Sequence, residues 1–346
     1  MAKGFCILMV VYFHISKALK VSYPLEDLTS KIRMPLYFLL SGLFFKEYEN
    51  FIGFLKRKIN KLLIPFLFSY LTITIPYTIY KGHTLGEPLS SSAKEILLGV
   101  YNEYFINIPT WFLFCLFLTC LLFYSVVAFS NKYGDKKVIV MIVMSLVVGI
   151  VGIILSYTRC DLPFFIDTSL TATPLYCLGY LLNKHSNILR KSKVDRYLLL
   201  IIPLMFLAAY LVDGNCHYRN NHYWTHPLLL YPSCGLAAVA MVLLAKMIKH
   251  IPWVTYMGRY SIILLMFHEP IQVFVVRFLR MCHIKEGYTI AWVTFFLTCI
   301  ILTLMIPICK KFLPYVTAQK DLIKVGPSHL DSDSSKRQGV PEQGGL

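Results

Sequence analysis

The stretch PTWFLFCLFLTCLLFYSVVAFS, residues 109–130, carries no charged side chain. At about 1.5 Å of rise per helical residue it spans roughly 33 Å, close to the thickness of a bilayer's hydrocarbon core. A surface helix of a water-soluble protein would show a polar stripe every three to four residues, and this one shows none. Working outward, similar apolar segments occur at about 4–19, 33–46, 60–80, 137–156, 168–183, 196–213, 226–247, 258–281 and 288–312. The pattern predicts an all-α, polytopic transmembrane bundle of about ten spans. The second segment is short and bracketed by Arg33, Pro35 and Lys46, which predicts a tilted or partly re-entrant element.

Composition points the same way. Of 346 residues, 57% are hydrophobic and 15% charged, against about 25% charged in ordinary soluble domains, and the mean hydropathy is +0.60. The formal charge of +16 raises the question of nucleic acid, but the cations lie between apolar spans and form no separate basic domain, which argues against that partner. With the N-terminus inside, about two thirds of the lysines and arginines fall on inner loops, and both termini are cytoplasmic by the positive-inside rule. The inner set includes Lys3, the 46–61 cluster, Lys132 to Lys137, Lys184 to Arg196, Lys246 to Arg259 and the tail.

Ten cysteines are scattered, mostly in apolar stretches, with no CxxC pair or zinc spacing. No metal site is expected. Cys160, Cys216 and Cys282 fall on the outer side, where a Cys160 to Cys216 disulfide is compatible with the topology. Nothing repeats along the chain as it does in two-halved transporters. No cleavable signal peptide is expected, because the first apolar stretch leads into another span. The last residues, GPSHLDSDSSKRQGVPEQGGL, have almost nothing to bury and read as disordered. The chain therefore divides into a membrane domain, 1–315, and a cytoplasmic tail, 316–346.

Ionisable groups inside spans are costly, so they mark candidate chemistry. His14 lies 11 residues after Lys3 and so roughly 16 Å deep. In LLMFHEPIQVF, His268 and Glu269 lie at a similar depth on another helix, and Pro270 frees the carbonyl of residue 266 from its usual partner. The plain alternatives are a packing histidine and a kinked helix with a structural His-Glu contact. The run Lys56-Arg57-Lys58-Ile59-Asn60-Lys61 is suited to polyphosphate, although such clusters usually set topology or touch anionic lipid. The outer segments Asn102 to Trp111 and DGNCHYRNNHYW, Asp213 to Trp224, combine aromatic faces with amides, as sugar sites do and as interfacial belts also do.

Together these residues make the chain resemble the membrane-bound acyltransferase 3 family, whose members O-acetylate bacterial glycans and related acceptors. Lys3-GFCILMVVYF-His14 matches the family's basic residue, ten residues, then His. PLYFLLSGLFF with Ser41-Gly42, KRKINKLLIPF with Lys58 and Lys61, PTWFLFCLF around Trp111, and SIILLMFHEPI around His268 follow in the family's order over roughly residues 3–312. Lysine stands where the family has arginine at positions 3, 58 and 61, keeping charge without the bidentate fork. Relatives carry a short acidic segment upstream of the first basic residue, which suggests an earlier start for this chain. With no hydrolase-like domain after the last span, the membrane unit is expected to act alone.

The resemblance implies an O-acyltransferase of the bacterial inner membrane, with no bound cofactor and acetyl-CoA as co-substrate. In that reading His14 is the general base, with Glu269 or His268 orienting it or lining the acceptor side. An acyl-histidine intermediate is a variant of the same scheme. Lys3, Arg57, Lys58, Lys61 and Ser41 bind the acyl donor, and Trp111 and Arg33 bind a carbohydrate or lipid-linked sugar acceptor beside membrane lipid. Two other classes account for the spans and buried histidines. A glycolipid or polar-solute transporter would show uptake independent of CoA, and a haem protein ligated by His14 and His268 would show an absorption spectrum.

Overall fold

The computed structural model describes residues 1–23, 25–47, 50–84, 107–186, 193–283 and 287–325, together with 86, 88, 90, 91, 93, 94 and 188. These residues are almost wholly helical; the strands among them are the two-residue pair β1 (Cys216–His217) and β2 (His222–Tyr223), antiparallel to each other. The helices are α1 (Ala2–Ala18) and α2 (Glu26–Leu43), then α3, which begins as Phe51–Lys58 and ends as Ile75–Thr84. After these come α4 (Trp111–Ser130), α5 (Lys137–Tyr157), α6 (Ile166–His185), α7 (Leu198–Tyr210), α8 (Pro227–Ile248), α9 (Pro252–Arg259), α10 (Ser261–Met281) and α11 (Tyr288–Phe312).

Among the described residues, five helical runs are long and apolar enough by themselves to cross a membrane. One of them, Ile108–Tyr157, holds both α4 and α5, which fold back on one another where Gly134 takes a positive φ of 52°. Residues 95–106, which include part of the aromatic segment Asn102 to Trp111, and the tail from 326 onward, including its expected disorder, lie outside the described residues.

The second apolar segment differs from its sequence reading. It begins at Glu26, not Arg33, so that Lys31 and Arg33 sit inside α2 and are buried. Glu26 and Asp27 occupy its first turn, where carboxylates complement the helix dipole. The Lys31 ammonium donates to the carbonyls of Ala209 and Val212 at the C-terminal end of α7, where the dipole favours a cation. Arg33 is covered by aromatic faces, its guanidinium 3.8 Å from the Phe13 ring centre and 4.9 Å from that of Tyr23. Each charge thus has a local partner, and neither has to mark a membrane boundary.

The tightest helix pairing is α2 on α6. A Cβ on Gly42 would stand 1.9 Å from the Tyr176 carbonyl oxygen, and one on Gly179 would stand 1.9 Å from that of Leu39. Backbone meets backbone at both ends of this contact, which is how helices associate where no hydrophobic force separates them from lipid. At the end of α2, Glu47 receives Lys137 of α5 at 2.9 Å, Lys184 of α6 at 2.6 Å and the Tyr180 hydroxyl. Burial raises the Glu47 carboxyl pKa, but the hydrogen bonds from Lys184, Tyr180 and Lys137 outweigh it and hold the group at about 2.

The basic run lies within α3. Two π-helical turns, Ile59–Leu63 and Tyr70–Thr74, interrupt it ahead of Pro65 and Pro76. Each proline removes an amide donor, and a widened turn accommodates that loss. Asn60, fully buried in the first π turn, accepts the amides of Leu322 and Ile323 at 3.0 and 2.9 Å and donates to the Ile323 carbonyl at 2.8 Å. Residues 316–325 are therefore fastened to the membrane domain, across the expected boundary at 315. Lys61 adds a contact to the Ala318 carbonyl and an ion pair with Asp321, both at 3.0 Å.

Candidate active site

α1 and α10 bring two histidines together: the rings of His14, half-buried, and His268 lie 5.4 Å apart, centre to centre, tilted by 56°. His268 is fully buried, and its Nδ1 lies 2.7 Å from the Leu264 carbonyl oxygen. A carbonyl only accepts, so Nδ1 carries the proton and Nε2 keeps its lone pair. That Nε2 has no hydrogen-bond partner among the described residues. Glu269 accepts the backbone N–H of Ile108 and faces the charge of Arg219.

Pro270 has the effect its position predicts. It leaves the Met266 carbonyl without a helical donor, and the Asn107 side chain supplies one at 2.7 Å while also donating to Ser69 Oγ at 2.9 Å. Asn107 is 1% exposed, so an alanine there strips buried groups of their partner and should cost about 1–3 kcal/mol. Adding Pro270→Ala gives the helix back its own amide donor. The double variant should recover part of the thermal stability that Asn107→Ala loses in detergent; an equal or larger loss would mean that Asn107 serves another role.

Two cavities gather most of the candidate residues. The first, about 410 Å3, is lined by Lys3, Arg57, Lys58, Lys61 and Arg259, with Asp321 the acidic residue in its wall and Tyr37, Phe112 and Leu116 deeper in. Ser41 also lines it, with its hydroxyl donating to the Tyr37 carbonyl at 2.8 Å. The proton is thereby engaged within the helix. The Lys3 ammonium stands 5.8 Å from the Phe44 ring centre. The second cavity, about 370 Å3, holds His14 itself with Phe13, Lys17, Arg33, Trp111 and the loop residues His217 to Asn220. Trp111 packs against Phe165, ring centres 5.5 Å apart. Both volumes fall in the range of small-molecule sites.

The five residues read from sequence as donor ligands thus share one cavity, and His14, Arg33 and Trp111 share the other. Met34 and Trp111 of the second cavity lie within a turn of Tyr37 and Phe112 of the first, so the two approach each other across a thin layer of side chains. Sequence reasoning did not single out Asn107, Arg219 or Arg259. Arg219 lay within the aromatic and amide-rich outer segment, and Arg259 stood at the start of a span, where a cation has an ordinary topological reason. No Cys160 to Cys216 link is present: Cys160 is exposed while Cys216 is buried.

The fold and this site define a helical membrane protein with a cationic cavity and a second, mixed aromatic and cationic one that holds His14, itself in contact with His268. The chain belongs to the acyltransferase 3 family, whose model, described as an acyltransferase domain, matches residues 1–310. Acyl transfer is the chemistry of that family. No curated protein and no solved structure matches the chain.

Proposed function

We propose that this protein transfers an acetyl group from acetyl-CoA to a hydroxyl of a cell-surface glycan or its lipid-linked precursor, with His14 as general base. The observation that carries the reading is a cavity lined by His14, whose ring stands 5.4 Å from that of His268, with a separate cationic cavity beside it. The cationic one suits a polyanionic donor, whose phosphates would meet Lys3, Arg57, Lys58 and Arg259 while its narrow thioester arm reaches toward Tyr37 and Phe112. The other suits a sugar, with Trp111 as a stacking face and Arg33 and Arg219 as donors to hydroxyls. In this reading the chain crosses a bacterial inner membrane about ten times, with both termini and the cationic cavity on the cytoplasmic side.

His14 takes the proton of the acceptor hydroxyl as its oxygen attacks the thioester carbon. The tetrahedral oxyanion collapses, the carbon–sulfur bond breaks, and the CoA thiolate leaves and recovers the proton from His14. His268 is a positioning residue: its Nδ1 is occupied by Leu264, so its Nε2 lone pair is available to receive an N–H of His14 and fix that ring's tautomer. Family membership supports acyl transfer over transport. The charge of the first cavity supports a CoA donor.

Membranes carrying the protein should move label from acetyl-CoA into an ester that hydroxylamine cleaves. Lys58→Ala should raise KM for acetyl-CoA on the order of tenfold with kcat little changed, as expected for a lost contact to a charged group. Labelled ester of equal amount in membranes lacking the protein, or solute uptake without CoA, would overturn the reading.

A further inference from the structure

Acyl transfer makes no use of a second feature of the loop between α7 and α8. Cys216 of β1 and Cys234, in the second turn of α8, are 4% and 0% exposed, and their Sγ atoms stand 3.8 Å apart. This is van der Waals contact; a bonded pair would stand about 2.05 Å apart. The approach is held from several sides. The Cys216 amide donates to Ser30 Oγ at 3.1 Å, Thr225 Oγ1 lies 3.5 Å from Cys216 Sγ, and the Tyr218 hydroxyl lies 3.6 Å from Cys234 Sγ.

We propose that Cys216 and Cys234 are joined by a disulfide in the membrane-inserted protein, tying the loop that walls the His14 cavity to α8. The proposal rests on the outward orientation of this loop in the function proposed above, since thiols persist on the reducing cytoplasmic face and pair on the oxidising one. In the packed loop the hydrogen bond with Cys234, aided by Thr225 and the charge of Lys31, lowers the pKa of the Cys216 thiol against the effect of its burial.

The oxidant is a disulfide-bearing thiol-exchange partner. The Cys216 thiolate attacks one of its sulfurs, the partner's S–S bond breaks, and one thiolate leaves. Cys234 then gives up its proton and attacks the Cys216 sulfur, expelling the second thiolate. Two protein thiols lose two electrons and two protons, and the partner's disulfide becomes two thiols. Because both sulfurs are buried once packed, exchange belongs to the stage at which the loop settles on α8. His217, Tyr218, Arg219 and Asn220, which line the cavity, follow Cys216 directly, so the bond anchors their root.

Trypsin makes the test direct. Cleavage after Arg219 places Cys216 in 197–219 and Cys234 in 220–246, each peptide holding one cysteine. The full-length protein is taken from membranes without reductant and its free thiols are blocked with N-ethylmaleimide under denaturing conditions. In most molecules the two peptides should appear as one species, lighter than their sum by two hydrogens and separated by dithiothreitol. The species should vanish in Cys216→Ser and Cys234→Ser and persist in Cys160→Ser. Blocked Cys216 and Cys234 in most molecules, or a link from Cys216 to Cys160, overturns the proposal. Cys160 separates the two causes of failure. It is exposed near the loop, since the Tyr157 hydroxyl donates to the Thr225 carbonyl at 3.0 Å. Labelling of Cys160 by an impermeant maleimide on intact cells leaves the orientation standing and rejects the bond alone; its protection rejects the orientation as well.

Discussion

His14→Ala membranes should lose acetyl transfer by a factor of about 10² to 10⁴, the usual worth of a positioned general base. Protein level and melting temperature should match the wild type. The second expectation follows from where the ring sits: His14 lines a cavity, so truncating it enlarges a space already there and removes little packing beyond its ring contacts with Phe13 and His268. His268 differs. It is fully buried and bonded to its own helix, so His268→Ala should cost both rate and stability. The pair of variants therefore separates chemistry from scaffolding. Transfer at wild-type rate in His14→Ala would remove the assignment of the base. Label retained on the protein and released by hydroxylamine would point instead to an acyl-histidine path.

The second large effect concerns the scaffold. Gly179→Val places a Cβ 1.9 Å from the Leu39 carbonyl oxygen, and ordinary contact would require α2 and α6 to part by roughly 1.5 Å. Overpacking of this kind costs about 3 kcal/mol or more when the obstacle is backbone, which cannot rotate away. Because α2 carries Arg33, Tyr37 and Ser41 into the two cavities, their walls would move with it. The expected result is a sharp drop in monodisperse protein on size-exclusion of detergent extracts and a lowered melting temperature in whatever remains. Gly53→Ala is the matched control: nothing lies within 4 Å of its added Cβ, and a helical alanine is if anything favourable. A wild-type profile for Gly179→Val would mean that the contact is looser than the backbone geometry implies.

α4 and α5 were legible in sequence to within a residue or two, because an uncharged run of bilayer length has one physical reading. α2 was not. Arg33 looked like the edge of a span because a charge inside one is normally prohibitive, and Lys31 fell outside it. What makes them tolerable is the end of α7 and the rings of Phe13 and Tyr23, and these arrive from distant parts of the chain. The basic run 56–61 read as a loop ahead of a helix and lies inside one, since lysine and arginine are themselves good helix formers. In the site, the Lys3 to His14 spacing and the His268-Glu269-Pro270 run were visible because each is local. Asn107 was not: an asparagine in a polar segment says nothing until Pro270 is known to have freed the carbonyl that it reaches. Arg219 was hidden for a similar reason, since only the fold turns one of several polar loop residues toward Glu269 and His14.

The clamp at Asn60 has a consequence for the order in which the protein is built. It ties a residue in the first fifth of the chain to residues 322 and 323, and Asp321 beside it is part of the cationic cavity's wall. That wall leaves the ribosome only after α11 has been made. The basic helix must therefore wait, inserted but incomplete, while some 260 further residues are made, and the cavity closes only once residues 321 to 323 have emerged. A chain stopped before residue 321 would hold both histidines, all five cations and an open-sided cavity.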